Sequence, residues 1–254
     1  MPDMFDVEVS DRIATITLNR APVNAMNDAW TTGLHAILDD LAGKSGWSVL
    51  HFRSALKIFS AGADLRQLKE NFELPPEVQA EVGRRYQQLF ARIEALPQAT
   101  IAEIHGAALG GGLELTLACD LRIVARDARM GLPEVGLGLI PGAGGTQRLT
   151  RLCGHAAAAR MILGAEVVSG EEAHRLGLAQ WCADSGELAD AARAHAKRIA
   201  ALPGHAVAAA KLCIAAASGL PQRGFDIEVE QVIGLLGSPA TKSLVRDFLN
   251  RQTR

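Results

Sequence analysis

Residues 103–149 read EIHGAALGGGLELTLACDLRIVARDARMGLPEVGLGLIPGAGGTQRL. A glycine triplet, Gly110-Gly111-Gly112, follows an apolar segment and opens a helix. Glu114 lies two residues past the triplet and Glu134 twenty residues beyond it. Glycine lets the backbone enter positive φ and lets a ligand approach closely. A helix start leaves its first N–H groups without intrahelical acceptors, in a field that favours negative charge. Gly110 to Leu113 therefore can aim N–H donors at an oxygen that becomes an anion. The same glycines also suit a strand-to-helix turn with no ligand.

Glu114 falls in the first turn of that helix, among Leu113, Leu115, Leu117 and Ala118. A carboxylate there is favourable in itself, so a structural charge is the plain alternative. The apolar surroundings imply burial, which raises a carboxyl pKa toward the range of acid–base work. Glu134 follows Pro133 in GLPEVGLG, a second apolar, glycine-rich setting. Two such glutamates form a candidate acid–base pair.

Outward from this stretch, composition narrows the classes. The 254 residues are 48% hydrophobic and 21% charged, ordinary for a globular protein. A net charge of −2 and 4% aromatics argue against an electrostatic or stacking platform for nucleic acid. No apolar run reaches the roughly 18 residues of a membrane span. The N-terminal MPDMFDVEVSDR lacks a signal pattern, so a cytoplasmic protein is expected. Cys119, Cys153, Cys182 and Cys213 form no CxxC and read as buried thiols. The seven histidines show no HExxH, so no metal site is expected. A dinucleotide GxGxxG laid on Gly110 and Gly112 would need glycine at 115, where Leu115 stands. Neither GxSxG nor a Walker A motif occurs.

Four segments in chain order carry a family resemblance: LNRAPVNAMN at 18–27, KIFSAGADL at 57–65, GAALGGGLELTLACD at 106–120 and GLPEVGLGLIPGAGGTQRL at 131–149. The chain resembles the enoyl-CoA hydratase/isomerase (crotonase) superfamily, over about residues 5–200. The resemblance implies an α/β fold, a crotonase-like superhelix of stacked ββα units with a C-terminal helical region. It divides the chain into a catalytic core, 1–200, and a helical oligomerisation region, 201–254. It implies a backbone oxyanion hole from the N–H groups of Ala63 and Gly111, with Glu114 and Glu134 catalytic. It assigns Asn24, Ala25, Lys57, Ala61, Asp64, Leu65 and Gly110 to binding of substrate and CoA. For Asn24 a turn-former, for Lys57 an exposed lysine and for Asp64 a helix cap are the plain alternatives. The implied substrate is an acyl-CoA thioester and no separate cofactor is implied, CoA being part of the substrate. A homotrimer or dimer of trimers is implied. Hydration of a 2-enoyl-CoA is the leading activity; double-bond isomerisation, another reaction of the superfamily and a non-catalytic thioester binder are the alternatives. Two departures stand out: Leu132, where many hydratases have glutamine, and Ser243-Leu244, where the usual ending has an acidic-Gly pair.

Periodicity predicts strands at 5–10 and 12–18, a helix from Asn27 or Asp28 to Ala42, and a strand at 47–52. Residues 66–76 read as irregular. Helices are expected at 77–96, 155–163, 169–177, 186–201, 204–217, 222–236 and 239–250, and a strand at 121–125. PGAGG reads as a turn with Thr146 capping the helix after it.

Overall fold

The computed structural model describes residues 4–71, 74–217 and Pro239. The expected helices at 222–236 and 239–250, and the divergent tail with Ser243-Leu244, lie outside the described residues. The chain divides into two compact units that meet between Ala201 and Leu202.

Strands β1 (Phe5–Ser10) and β2 (Ile13–Leu18) form the expected hairpin, Phe5 opposite Leu18. Asp11 and Arg12 both take left-handed backbone at the turn, the hairpin geometry that matches strand twist. Helix α1 (Asp28–Ala42) starts at Asn27, whose Oδ1 accepts from Trp30 N at 2.9 Å. Its apolar stripe of Trp30, Leu34, Leu38 and Leu41 is buried. Strand β3 (Val49–Ser54) begins two residues later than expected. Trp47 is spent elsewhere: its indole N–H donates to Leu41 O at 3.0 Å, satisfying a carbonyl at the end of α1.

Residues 65–71 are helix α2 (Leu65–Asn71), not irregular chain. Asp64 is the reason, since its Oδ1 accepts from Arg66 N and its carbonyl from Leu68 N. Helix α3 (Pro76–Glu94) buries Leu89, Phe90 and Ile93. Then come β4 (Ala99–Ile104), β5 (Ala107–Leu109), α4 (Gly111–Leu117), β6 (Leu121–Ala125) and β7 (Arg129–Gly131). A short 3-10 helix, Glu134–Leu137, precedes α5 (Gly145–Leu163). Helix α5 starts ten residues before the expected helix, with Gly144, not Thr146, at its N-cap; Gly154 interrupts it with φ 79. The remaining elements of this unit are β8 (Val168–Ser169), α6 (Gly170–Arg175), β9 (Trp181–Ala183) and α7 (Leu188–Ala200). In the second unit, α8 is Gly204–Ala216.

The large sheet has the order β1-β2-β3-β4-β6-β9, parallel from β2 onward. Strand β4 is buried along its whole length, as expected of a parallel strand covered on both faces. A small sheet, β5-β7-β8, stands apart. The units β4-β5-α4 and β6-β7-α5 each send one strand to each sheet and then a helix, with the Glu134 turn between β7 and α5. Arg122, with no exposed surface, locks the C-terminal end of α4. Its guanidinium donates to Thr116 O, Cys119 O and Leu178 O at 2.6–2.9 Å. A cation among the last carbonyls of α4 complements that helix end. Of the four cysteines only Cys119 is buried; Cys153, Cys182 and Cys213 are half-buried, and all four are free thiols.

Candidate active site

The glycine triplet acts at one edge of the small sheet. Gly110 has φ 52 and ψ −128, open only to glycine, and its N–H donates to Gly131 O at 3.0 Å. That N–H is therefore committed to the β5–β7 pairing, and the first donor expected of the triplet is not free. Gly111 is the first helical residue. The 57–65 segment is stitched beside it: Ser60 N to Ala107 O and Leu109 N to Ser60 O at 3.0 Å, Met26 N to Gly62 O and Asp64 N to Met26 O at 2.8 Å. Gly62 has φ 91, and a Cβ there would lie 3.0 Å from Gly111 N and 2.7 Å from Leu109 O. Bare backbone at Gly62 lets the two loops touch. Among the described residues neither Ala63 N–H nor Gly111 N–H donates to a backbone acceptor, and both residues line one cavity.

Glu114 faces that cavity from α4, 3% exposed. Its Oε1 accepts from Ala143 N and Gly145 N, each at 2.8 Å, both in the PGAGG turn. Burial pushes its pKa up to about 7; the backbone donors and Arg148 oppose that and the nearby Glu134 charge adds to it. Gly145 is bare for the same reason, since a Cβ would meet Glu114 Oε1 at 2.9 Å.

Glu134 enters from the first turn of the 3-10 helix. Its Oε1 lies 3.0 Å from where a Cβ on Gly110 would sit. Its Oε2 is buried and, among the described residues, has no hydrogen-bond partner. Burial raises its pKa. A buried acceptor without a donor is costly unless it meets water, substrate or a proton. The two carboxylates differ in kind: one is held by two N–H groups, the other has an oxygen left over.

The cavity has a volume of about 460 Å³. Ala61, Ala63, Leu65, Gly110, Gly111, Glu114 and Glu134 line it; Asn24, Ala25, Lys57 and Asp64 do not. Asn24 is a buried turn residue, its amide donating to Ser54 Oγ and Phe59 O and its Oδ1 accepting from Arg20 N. The carbonyl oxygens of Asn24 and Ala25 accept from Ser60 Oγ and Arg20 Nη1. Asp64 pairs with Arg20 at 2.8 Å, which with the α2 backbone holds its carboxyl below the usual range. Lys57 is exposed. The rest of the lining includes Leu68, Val82, Gly83, Tyr86, Leu137, Leu139 and Ile140. Tyr86 and Arg148 carried no motif of their own, although GAGGTQRL already contained the arginine.

Two carboxyls that share one cavity with the N–H groups of Ala63 and Gly111 are suited to acid–base chemistry on a carbonyl compound. Residues 8–236 match the family described as Enoyl-CoA hydratase/isomerase. A probable enoyl-CoA hydratase of Bacillus subtilis is 42% identical over 77% of this chain and 76% of that protein. The human enoyl-CoA hydratase domain-containing protein 2, mitochondrial, is 44% identical over 74% of this chain but only 64% of that protein. A crystal structure of an enoyl-CoA hydratase from Bacillus anthracis superposes with a TM-score of 0.91, covering 98% of this chain and 97% of that one at 32% identity. The chain belongs to the enoyl-CoA hydratase/isomerase family, whose members bind acyl-CoA thioesters, and it has the stacked ββα crotonase fold.

Proposed function

We propose that this protein is an enoyl-CoA hydratase that adds water across the 2,3 double bond of a 2-enoyl-CoA to give a 3-hydroxyacyl-CoA. One observation supports it above the others: Glu114 and Glu134 both have raised pKa values and both face the cavity lined by Ala63 and Gly111. The thioester oxygen sits between the N–H groups of Ala63 and Gly111. Glu114, oriented by Ala143 and Gly145, accepts a proton from water as the water oxygen bonds to C3. The π electrons move to C2 and the thioester oxygen gains negative charge, which the two N–H groups stabilise. Protonated Glu134 then delivers its proton to C2. The pair has exchanged its proton and resets by moving it back, so it titrates as a unit. No metal or redox group takes part. The substrate carries its own CoA, against the 18–27 and 57–65 segments.

The test is loss of the conjugated thioester absorbance in wild type, Glu114→Gln and Glu134→Gln. Each substitution is expected to lower hydration at least about a hundredfold. The double variant should lose much less than the product of the two. Isomerisation of a 3-enoyl-CoA should survive Glu114→Gln better than Glu134→Gln. A wild type that hydrates no acyl length yet isomerises rapidly would replace this reading with an isomerase. We further propose a homotrimer or dimer of trimers, consistent with Leu212 and Ile214 exposed on α8. Sedimentation as a stable monomer at micromolar concentration excludes it.

A further inference from the structure

The turn that holds Glu114 is itself held. Ala143 N belongs to the peptide whose carbonyl is Gly142 O, and that carbonyl accepts from Gln87 Nε2 at 2.8 Å. The next carbonyl, Ala143 O, accepts from Arg148 Nη1 at 2.9 Å. Arg148 is 8% exposed, and its Nε and Nη2 donate to Glu94 Oε2 at 3.0 and 2.8 Å. Its guanidinium packs on the bare Cα of Gly144, which has φ 102. Gln87 and Glu94 are both on α3, seven residues apart, so one helix grips the turn at two points.

A buried guanidinium is expensive, and a surface fork to Glu94 would not need it. What it gains here is a fixed direction for the peptides that carry the two N–H donors. The carbonyls of those two peptides, Gly142 O and Gly144 O, accept from Gln87 Nε2 and from the Arg148 backbone N–H at 2.8 and 2.9 Å, which strengthens the donors, while the guanidinium holds Ala143 O between them. We infer that Arg148, anchored by Glu94 and assisted by Gln87, is a positioning residue for Glu114. It acts through the backbone from Gly142 to Gly145 and does not touch substrate. The inference rests on the hydratase reading only in giving Glu114 a proton-transfer role.

Charged groups acting on Glu114 are Glu134 from the 3-10 helix and Arg148 from α5; Glu94 from α3, with Arg151 of α5 at 3.6 Å from it, acts through Arg148. Loosening the clamp misaligns the two N–H donors on its Oε1, so the carboxyl becomes harder to ionise. The acidic limb of the pH–rate profile should move to higher pH.

The variants are Gln87→Ala, which alters an exposed side chain, Glu94→Gln and Arg148→Lys. Expected are kcat losses of roughly tenfold to a hundredfold for Arg148→Lys, smaller losses for the other two, and KM nearly unchanged. A second readout needs no turnover: titration of the Glu114 carboxyl in the intact protein by carbon NMR, assigned by its disappearance in Glu114→Gln. That titration should shift upward in Arg148→Lys. Folded variants whose melting temperature falls while kcat, the acidic limb and the titration stay put would overturn the inference. A shifted titration in a protein that hydrates nothing would instead sink the hydratase reading and leave the clamp standing.

Discussion

The two walls of the cavity are built differently. One wall is main chain: the N–H groups of Ala63 and Gly111, the PGAGG amides on Glu114, and the glycines that let these segments touch. The other is side chain: Leu65, Leu68, Val82, Tyr86, Leu137, Leu139 and Ile140. Leu65, Leu137 and Ile140 are more than half exposed, so that apolar wall is unfinished without a ligand or neighbour. The first wall fixes where charge develops, which tolerates no displacement. On the proposed reaction, the second faces whatever tail follows C3. Rigidity and reaction belong to one, selectivity to the other.

The largest effect should come from the first wall. Gly111 is the first residue of α4, a position where proline fits a helix; the N–H is lost and the added Cβ would lie in ordinary contact, 3.4 Å from Met26 Sδ and 3.6 Å from Ala63 N. Gly111→Pro should cut kcat about 10²–10³-fold or more, with circular dichroism unchanged. Ala63→Ser keeps its N–H and should be milder. A folded, fully active Gly111→Pro protein would move the oxyanion donor elsewhere and dissolve the contrast between the walls.

A smaller effect separates burial from hydrogen bonding on that wall. The folded pKa of Glu114, about 7, lies above the ordinary 4.5. Its protonation therefore adds stability that is fully present below about pH 4.5 and lost as pH rises through 7. The shift corresponds to roughly 3 kcal/mol above pH 8. Glutamine keeps an acceptor for Ala143 and Gly145 and cannot ionise. Glu114→Gln should match wild type near pH 5 and melt several degrees higher at pH 8.5. Calorimetry showing equal melting differences at both pH values would mean that desolvation of this carboxylate is not the cost the structure implies.

The walls also differ in what could be read before the fold was known. Glu114, Glu134 and the triplet sit within 25 residues, in a local pattern whose physics is itself local. Arg148 and Arg122 could not be read that way, because their partners are mostly carbonyls and a carboxylate brought together by topology. Helix α2 was missed because LRQLKEN buries no side chain and so shows no apolar period. Strands β5, β8 and β9 run only two or three residues and owe their form to neighbours. Asn24 does not line the cavity, and a buried polar turn and a binding turn look alike in sequence. The apolar wall left no motif, since selectivity depends on the space between leucines and not on their identity.

The smallest effect probes that space. Gly83 lies inside α3, one turn before Gln87, and lines the cavity. Its φ is not positive, and no described atom lies within 4 Å of a Cβ built there. Neither backbone conformation nor close packing requires glycine, while a glycine inside a helix costs about 0.5–1 kcal/mol relative to alanine. The bare position instead leaves room beside Val82 and Tyr86, on the wall that faces the acyl tail in the proposed reaction. Gly83→Ala should therefore stabilise the protein by about 0.5–1 kcal/mol. It should leave kcat/KM for a four-carbon 2-enoyl-CoA unchanged and lower it for long or branched acyl groups. Gly83→Leu should widen that discrimination toward about 10–200-fold, the range for a change in fit of a methylene or so. The comparison is the ratio of kcat/KM for long over four-carbon substrate in wild type and both variants. Equal losses on every chain length would show that α3 at this point borders the reacting carbons, and that the division between a catalytic wall and a selective wall is drawn in the wrong place.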